Sequence, residues 1–147
     1  MLILGIKTFA DQAVTADGII NLGSIYRRYD KKCAYGFRAF EFNGSSVSLQ
    51  QSGLYHITVT ATFTAPVEGD VTIQLLEDGI AVPGISATET ITTATTESRS
   101  IALDYYVLVD TACILGNRTI IAKTISLQNT GVASTITDLA INIDKVR

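Results

Sequence analysis

The chain predicts an all-β antiparallel fold of about ten strands, a sandwich, jelly roll or barrel with almost no helix. Period-two alternation of apolar and polar residues dominates its length. No window of eleven or more residues combines helical spacing of apolar residues with capping signals. Glycine, proline and asparagine clusters punctuate the alternating runs at the spacing of a many-stranded β domain.

Taken in order, strands are expected at Leu2 to Phe9, near Ile19 to Tyr26, near Tyr35 to Phe42 and at Val47 to Leu49, separated by Gly18, Asp30 and Asn43-Gly44. The strongest is Leu54 to Thr64. There Tyr55, Ile57, Val59, Ala61 and Phe63 point one way, while His56, Thr58, Thr60, Thr62 and Thr64 point the other. Pro66 and Gly69 turn the chain, and Val71, Ile73 and Leu75 mark the next strand. Asp78-Gly79 suits a tight hairpin because both residues tolerate positive φ. Ile80 to Val82 returns beside it, with Pro83-Gly84 expected to end the pairing. The threonine-rich segment Ile85 to Thr96, then Ser100 to Val109, Thr119 to Gln128 and a last strand around Leu139, Ile141 and Ile143 complete the set. A loop carrying Cys113, Gly116 and Asn117 precedes Thr119.

The 147 residues fit one domain, 1–147, able to bury a core without metals or disulfide staples. Apolar residues make up 47% and charged residues 17%, against about 25% charged in an average soluble domain. Mean hydropathy is +0.31. Either the surface is unusually neutral or much of it is covered. No apolar run approaches the roughly 18 to 20 residues of a membrane-spanning helix, so the expected cover is identical subunits rather than lipid. The opening MLILGIKTF lacks a basic lead and a small-residue cleavage site, and reads as a first strand rather than a signal peptide. A net charge of −3 argues against nucleic acid as partner. Its local exception is RRYDKK: Arg27, Arg28, Lys31 and Lys32 form either a solvated loop or a docking patch for an acidic partner.

Chemistry finds little footing. His56 is the only imidazole, with no Asp or Glu within several residues in sequence, and reads as a side chain on a polar or subunit-facing sheet surface. The acidic residues are scattered without the density of a calcium loop. No nucleophile elbow, phosphate loop or zinc-binding signature appears, so no catalytic residue, metal ligand or cofactor is assigned, and the chain is expected not to be an enzyme. Cys33 and Cys113 show no metal or redox spacing and read as free thiols or as one disulfide. Tyrosines such as Tyr26, Tyr29, Tyr35, Tyr105 and Tyr106 suit either an interface or a saccharide-stacking surface.

SGLYHITVTATF followed by VTIQLLEDGIAV resembles the central strands of C1q/TNF-like jelly-roll domains, with their G-x-Y strand and V-x-L-x-x-N/D-G-x-x-V hairpin. With DGIINLGSIYRRY before, IAVPGISAT between and LAINIDKV at the close, the chain is similar to small jelly-roll proteins of bacteriophages. Gly116-Asn117 stands near where the C1q type carries glycine-aspartate, and no collagen-like stalk precedes the domain. The resemblance implies a ten-stranded antiparallel jelly-roll sandwich that trimerises about a threefold axis. It further implies a non-enzymatic virion structural protein: capsid decoration, head fibre or tail attachment component, assembled in the bacterial host cytoplasm and partnered by other virion proteins. The threonine face of His56, Thr58, Thr60 and Thr62, together with Tyr105, is the expected trimer interface. A carbohydrate-binding or host-surface adhesion module acting on a glycan is the alternative, and a bacterial cell or spore surface the alternative location.

Overall fold

A computed structural model describes residues 2–30, 38–114 and 116–147. Its strands are β1 (Ile3–Lys7), β2 (Gln12–Val14), β3 (Ser24–Tyr29), β4 (Phe40–Phe42), β5 (Ser46–Leu49), β6 (Gly53–Thr64), β7 (Gly69–Glu77), β8 (Ile80–Ile91), β9 (Arg99–Val109), β10 (Thr111–Ile114), β11 (Asn117–Ile120), β12 (Lys123–Asn129) and β13 (Ser134–Lys145). No helix occurs among the described residues. One sheet runs β3-β1-β13-β6-β9, with β2 also paired to β13; the second runs β4-β5-β12-β7-β8; β10 and β11 form a separate ribbon. Every pairing between strands is antiparallel. The result is a jelly-roll sandwich, one of the architectures that the alternation leaves open and the one that the resemblance implies.

Alternation fills the space between the sheets. Tyr55, Ile57, Val59, Ala61 and Phe63 of β6 are buried, as are Ile136, Leu139, Ile141 and Ile143 of β13 and Ile101, Leu103, Val107 and Val109 of β9. Opposite them lie Phe40, Val47, Leu49, Val71, Ile73, Leu75, Ile125 and Leu127 from the second sheet. Phe40 meets Tyr55 edge-on across the gap, with ring centroids 5.9 Å apart and planes at 75°, the arrangement that aromatic quadrupoles favour. The Tyr55 hydroxyl donates to the Gln51 carbonyl at 2.8 Å, so this buried phenol keeps a partner. At the other flank Arg28 closes the seam between the sheets. Its guanidinium donates to both Asp30 oxygens at 2.7 and 2.8 Å and to the Phe40 carbonyl at 2.6 Å.

The hairpin at Asp78-Gly79 forms as expected, with φ of +53° and +80° at its two central residues. Other boundaries differ. Pro83-Gly84 does not end the returning strand: β8 continues to Ile91, and its register against β7 shifts between Gln74 and Leu76 to take up the extra residues. Because β8 is an edge strand, the missing amide of Pro83 costs no ladder bond on an inner side. Gly84, at φ +80°, supplies the bend. The single strand expected at 119–128 is two, β11 and β12, and the expected loop before it holds β10. β2 was not signalled, being three residues that borrow their ladder from β13. The second expected strand begins later, at Ser24, and Ile19 makes only an isolated bridge to Gln128. The start of the expected strand at 35–42 lies outside the described residues, and its end is β4. The short extra pieces bring the expected ten strands to thirteen.

Burial pushes the Tyr55 phenol up to about 12. An unfolded tyrosine ionises near 10, so the contribution of Tyr55 is fully present below about pH 10 and is lost as pH rises from there toward 12. Tyr55→Phe should cost roughly 1 kcal/mol at neutral pH through the lost hydrogen bond. Its urea midpoint should fall less steeply than the parent's between pH 9.5 and 11.5, roughly the window those two pKa values span.

Candidate functional site

The outer face of the β3-β1-β13-β6-β9 sheet gathers most of the residues that the sequence marks. Register lays them in rows: Ile3, Asp144, His56 and Tyr106; then Gly5, Asn142, Thr58 and Asp104; then Lys7, Ala140, Thr60 and Ala102; then Asp138, Thr62 and Ser100. The middle of this face is small and uncharged, so a packed surface could cover it at little desolvation cost. His56 is tied at the side of it. Its ring stacks on Tyr106 with centroids 4.5 Å apart and planes at 13°, and its Nε2 lies 2.8 Å from Asp104 Oδ1. The carboxylate that is missing near His56 in sequence is therefore supplied across the ladder. Thr62 and Ser100 share a hydroxyl hydrogen bond at 2.9 Å.

The two flanks of the face differ. On one side Tyr26 lies over Gly5, where an added Cβ would sit 2.8 Å from the ring, and donates to Asn142 Oδ1 at 2.9 Å. Glycine at that position is what lets the ring lie across the sheet. The Lys7 ammonium is 5.0 Å from the Tyr26 centroid and the Arg27 guanidinium 6.0 Å, within cation–π reach. On the other side, along the β9 edge, stand Asp104, Tyr106 and Leu108, the last two 54% and 59% exposed. Tyr26 and Tyr29 on the first flank are 42% and 53% exposed.

The structure separates two expected groups. Tyr105 does not share the threonine face: it turns inward beside Leu103 and Val107, and its hydroxyl donates to Glu77 Oε2 at 3.3 Å. Burial first, and then the Glu77 charge, push its phenol up. Tyr106, one residue on, is the tyrosine beside His56, because a strand reverses face at every residue. Arg28 parts from Arg27 in the same way. It is held in the inter-sheet seam by Asp30, and its hydrogen bond is the main cause that lowers the Asp30 carboxyl below the usual range. Arg27 alone of that pair faces outward. Lys31, Lys32 and Cys33 lie outside the described residues. Among the described residues no group of three or more His, Cys, Asp or Glu side chains converges as a metal site.

No family model matches the chain, and no curated protein matches it in sequence. Solved structures match it throughout. The globular domain of zebrafish complement 1qA superposes with a TM-score of 0.61 at 9% identity, over 100% of this chain and 98% of that one. Murine APRIL at pH 5.0 gives 0.59 at 9% identity, over 97% and 98%. The PRD1 vertex protein P5 gives 0.52 at 16% identity, over 99% and 97%. At these identities the likeness is one of fold, and the fold is the C1q/TNF-like jelly roll.

Arg28→Ala should destabilise the protein by about 2 kcal/mol, since it leaves the Asp30 carboxylate, 3% exposed, without its charged partner, and Val67→Ala, at an exposed turn residue, by less than about 0.5 kcal/mol. The Arg28–Asp30 contribution is present above the unfolded Asp pKa near 3.9 and fades as pH falls through the lower folded value. Denaturation midpoints of the two variants at pH 7 and pH 3 check both statements, with the gap between Arg28→Ala and the parent narrowing at pH 3.

Proposed function

We propose that the chain is a non-enzymatic structural protein of a phage virion, a homotrimeric jelly-roll knob on the capsid or tail, with the outer face of the β3-β1-β13-β6-β9 sheet turned to the threefold axis. One observation carries the assembly. Among the described residues, the large exposed aromatic side chains on the outer faces of the two sheets sit on this one, at its two opposite flanks. The outer face of the other sheet spends its polar groups on itself: Asp70 with Thr90 at 2.6 Å, Thr72 with Thr88 at 2.7 Å, Gln74 with Gln128 at 2.9 Å. The candidate face makes hydrogen bonds of this kind too, so the exposed aromatic flanks are what set it apart.

The two flanks also complement each other. Lys7, Arg27, Tyr26 and Tyr29 on one side bring positive charge and aromatic rings; Asp104, Tyr106 and Leu108 on the other bring negative charge and apolar edge. A closed ring needs such a head-to-tail contact, in which one flank of each copy meets the other flank of the next. The small neutral centre, Thr58, Thr60 and Ala140, then lies nearest the axis, where like residues meet without like-charge repulsion. The virion role rests on the sequence resemblance to small phage jelly rolls and on the likeness to the PRD1 vertex protein. Durability supplied by strand ladders and a subunit seam suits a part of a particle better than a catalyst. Other virion proteins are its expected neighbours.

Sedimentation tests the seam. The parent should run as three chains of 15.7 kDa each. Ala102→Arg, which places a bulky cation on the β9 side of the face, should run as one, and Thr72→Arg on the other sheet should leave the trimer intact. A parent that runs as a single chain at micromolar concentration contradicts the proposal, as does a trimer indifferent to Ala102→Arg.

A further inference from the structure

The rim of the sandwich where β1 leaves its sheet holds a cavity that the assembly does not use. It measures about 380 Å³ and is lined by Thr8, Phe9, Asp11, Gln12, Asn21 and Ser24, with neighbouring backbone. That is within the range of small-molecule sites. Gln12 braces one wall: its Nε2 donates to the Asn21 carbonyl at 2.5 Å, and the Asn21 amide donates back to its Oε1 at 3.0 Å. The Asn21 side-chain oxygen accepts from the Gly23 amide at 2.8 Å. With that oxygen engaged, the Asn21 NH2 group remains as a donor.

Two further features point to an occupant. Phe9 is 70% exposed. The Lys7 ammonium stands 5.3 Å from its ring centroid, so the ring has a cation beside it while most of its surface stays open. Thr8 lines the same cavity, yet its hydroxyl is the buried side-chain polar atom left without a partner among the described residues. Such a group calls for an explanation. Rotation about the Thr8 χ1 bond would offer that hydroxyl to a ligand in the cavity.

We propose that this cavity binds a pyranose residue of a surface glycan. A sugar ring presents an apolar C–H face beside a rim of hydroxyls that both donate and accept. The cavity matches each part: the exposed ring of Phe9 for stacking, the Asn21 NH2 to donate, the Asp11 carboxylate to accept, and the Ser24 and Thr8 hydroxyls to do either. Other ligand classes match less well. Asp11 is a single carboxylate, too few for a cation, and the lining contains no Lys or Arg to hold a phosphate. The cavity sits at the end of β1, past the β1–β13 pairing that stops at Lys7, and away from Thr58, Thr60 and Ala140 at the middle of the sheet face. The site therefore goes beyond the structural reading and stands or falls separately from trimerisation.

Saturation-transfer NMR on the full chain tests it, with the methyl glycosides of glucose, mannose, galactose, N-acetylglucosamine and rhamnose as probes. The methyl group makes each resemble a residue within a glycan. Transfer to at least one glycoside is expected. Phe9→Leu, which keeps an apolar side chain but removes the ring, should weaken it roughly tenfold. Val67→Ala, at an exposed apolar residue that does not line the cavity, should leave it unchanged. The proposal is overturned by absence of transfer from all five glycosides, by transfer that survives Phe9→Leu, or by equal loss in both variants.

Discussion

Three long antiparallel strands, β6, β9 and β13, set the rest of the molecule. Their ladder holds from Gly53 to Thr64 on the middle strand and leaves little freedom to slide, because a one-residue slip would turn every buried side chain outward. Once that register is fixed, Tyr55, Ile57, Val59, Ala61 and Phe63 must fill the gap between the sheets. The short strands β1 and β2 then pair along β13, and β3 along β1. The second sheet closes on the apolar face so formed, with the Phe40–Tyr55 contact and the Arg28–Asp30 pair joining the two layers.

The same constraint writes the outer face. Whatever alternates with the core residues must stand outside, so Thr58 and Thr60 come to lie level with Asn142, Ala140 and Ala102 on neighbouring strands. Residues that are scattered in sequence become one small, neutral patch bordered by aromatic flanks. This links a local pattern to assembly. In a charge-poor chain, the face that carries exposed aromatic flanks is the one with the most to gain from cover.

The fold was largely legible because β6, β9 and β13 state their alternation openly, and because Asp78-Gly79 needs positive φ at both positions and has it. Short elements were not legible. β2, β10 and β11 are three or four residues each and depend on partners far along the chain or on tertiary context, not on their own composition. Pro83 misled because proline breaks an inner ladder, whereas β8 turned out to be an edge. Within the candidate site the threonine row and His56 could be read from one strand. Asp104 and Tyr106 could not, since their nearness to His56 exists only through the β6–β9 pairing. Tyr105 and Tyr106 are alike in type and adjacent, and only the phase of β9 separates them. The cavity beside Phe9 left no pattern at all, being assembled from two loops and the starts of β2 and β3.

The central claim is that the β3-β1-β13-β6-β9 face looks inward in an assembled trimer. Dipolar distance measurement between nitroxide labels tests it most directly, with Cys33 and Cys113 replaced by serine. One label is placed at Ser100, on the border of that face, and in a second variant at Thr90 on the outer face of the other sheet. The account predicts a dipolar signal in both variants, with a clearly shorter distance between copies for Ser100 than for Thr90. A shorter distance from Thr90, or no dipolar signal in either variant, would contradict it.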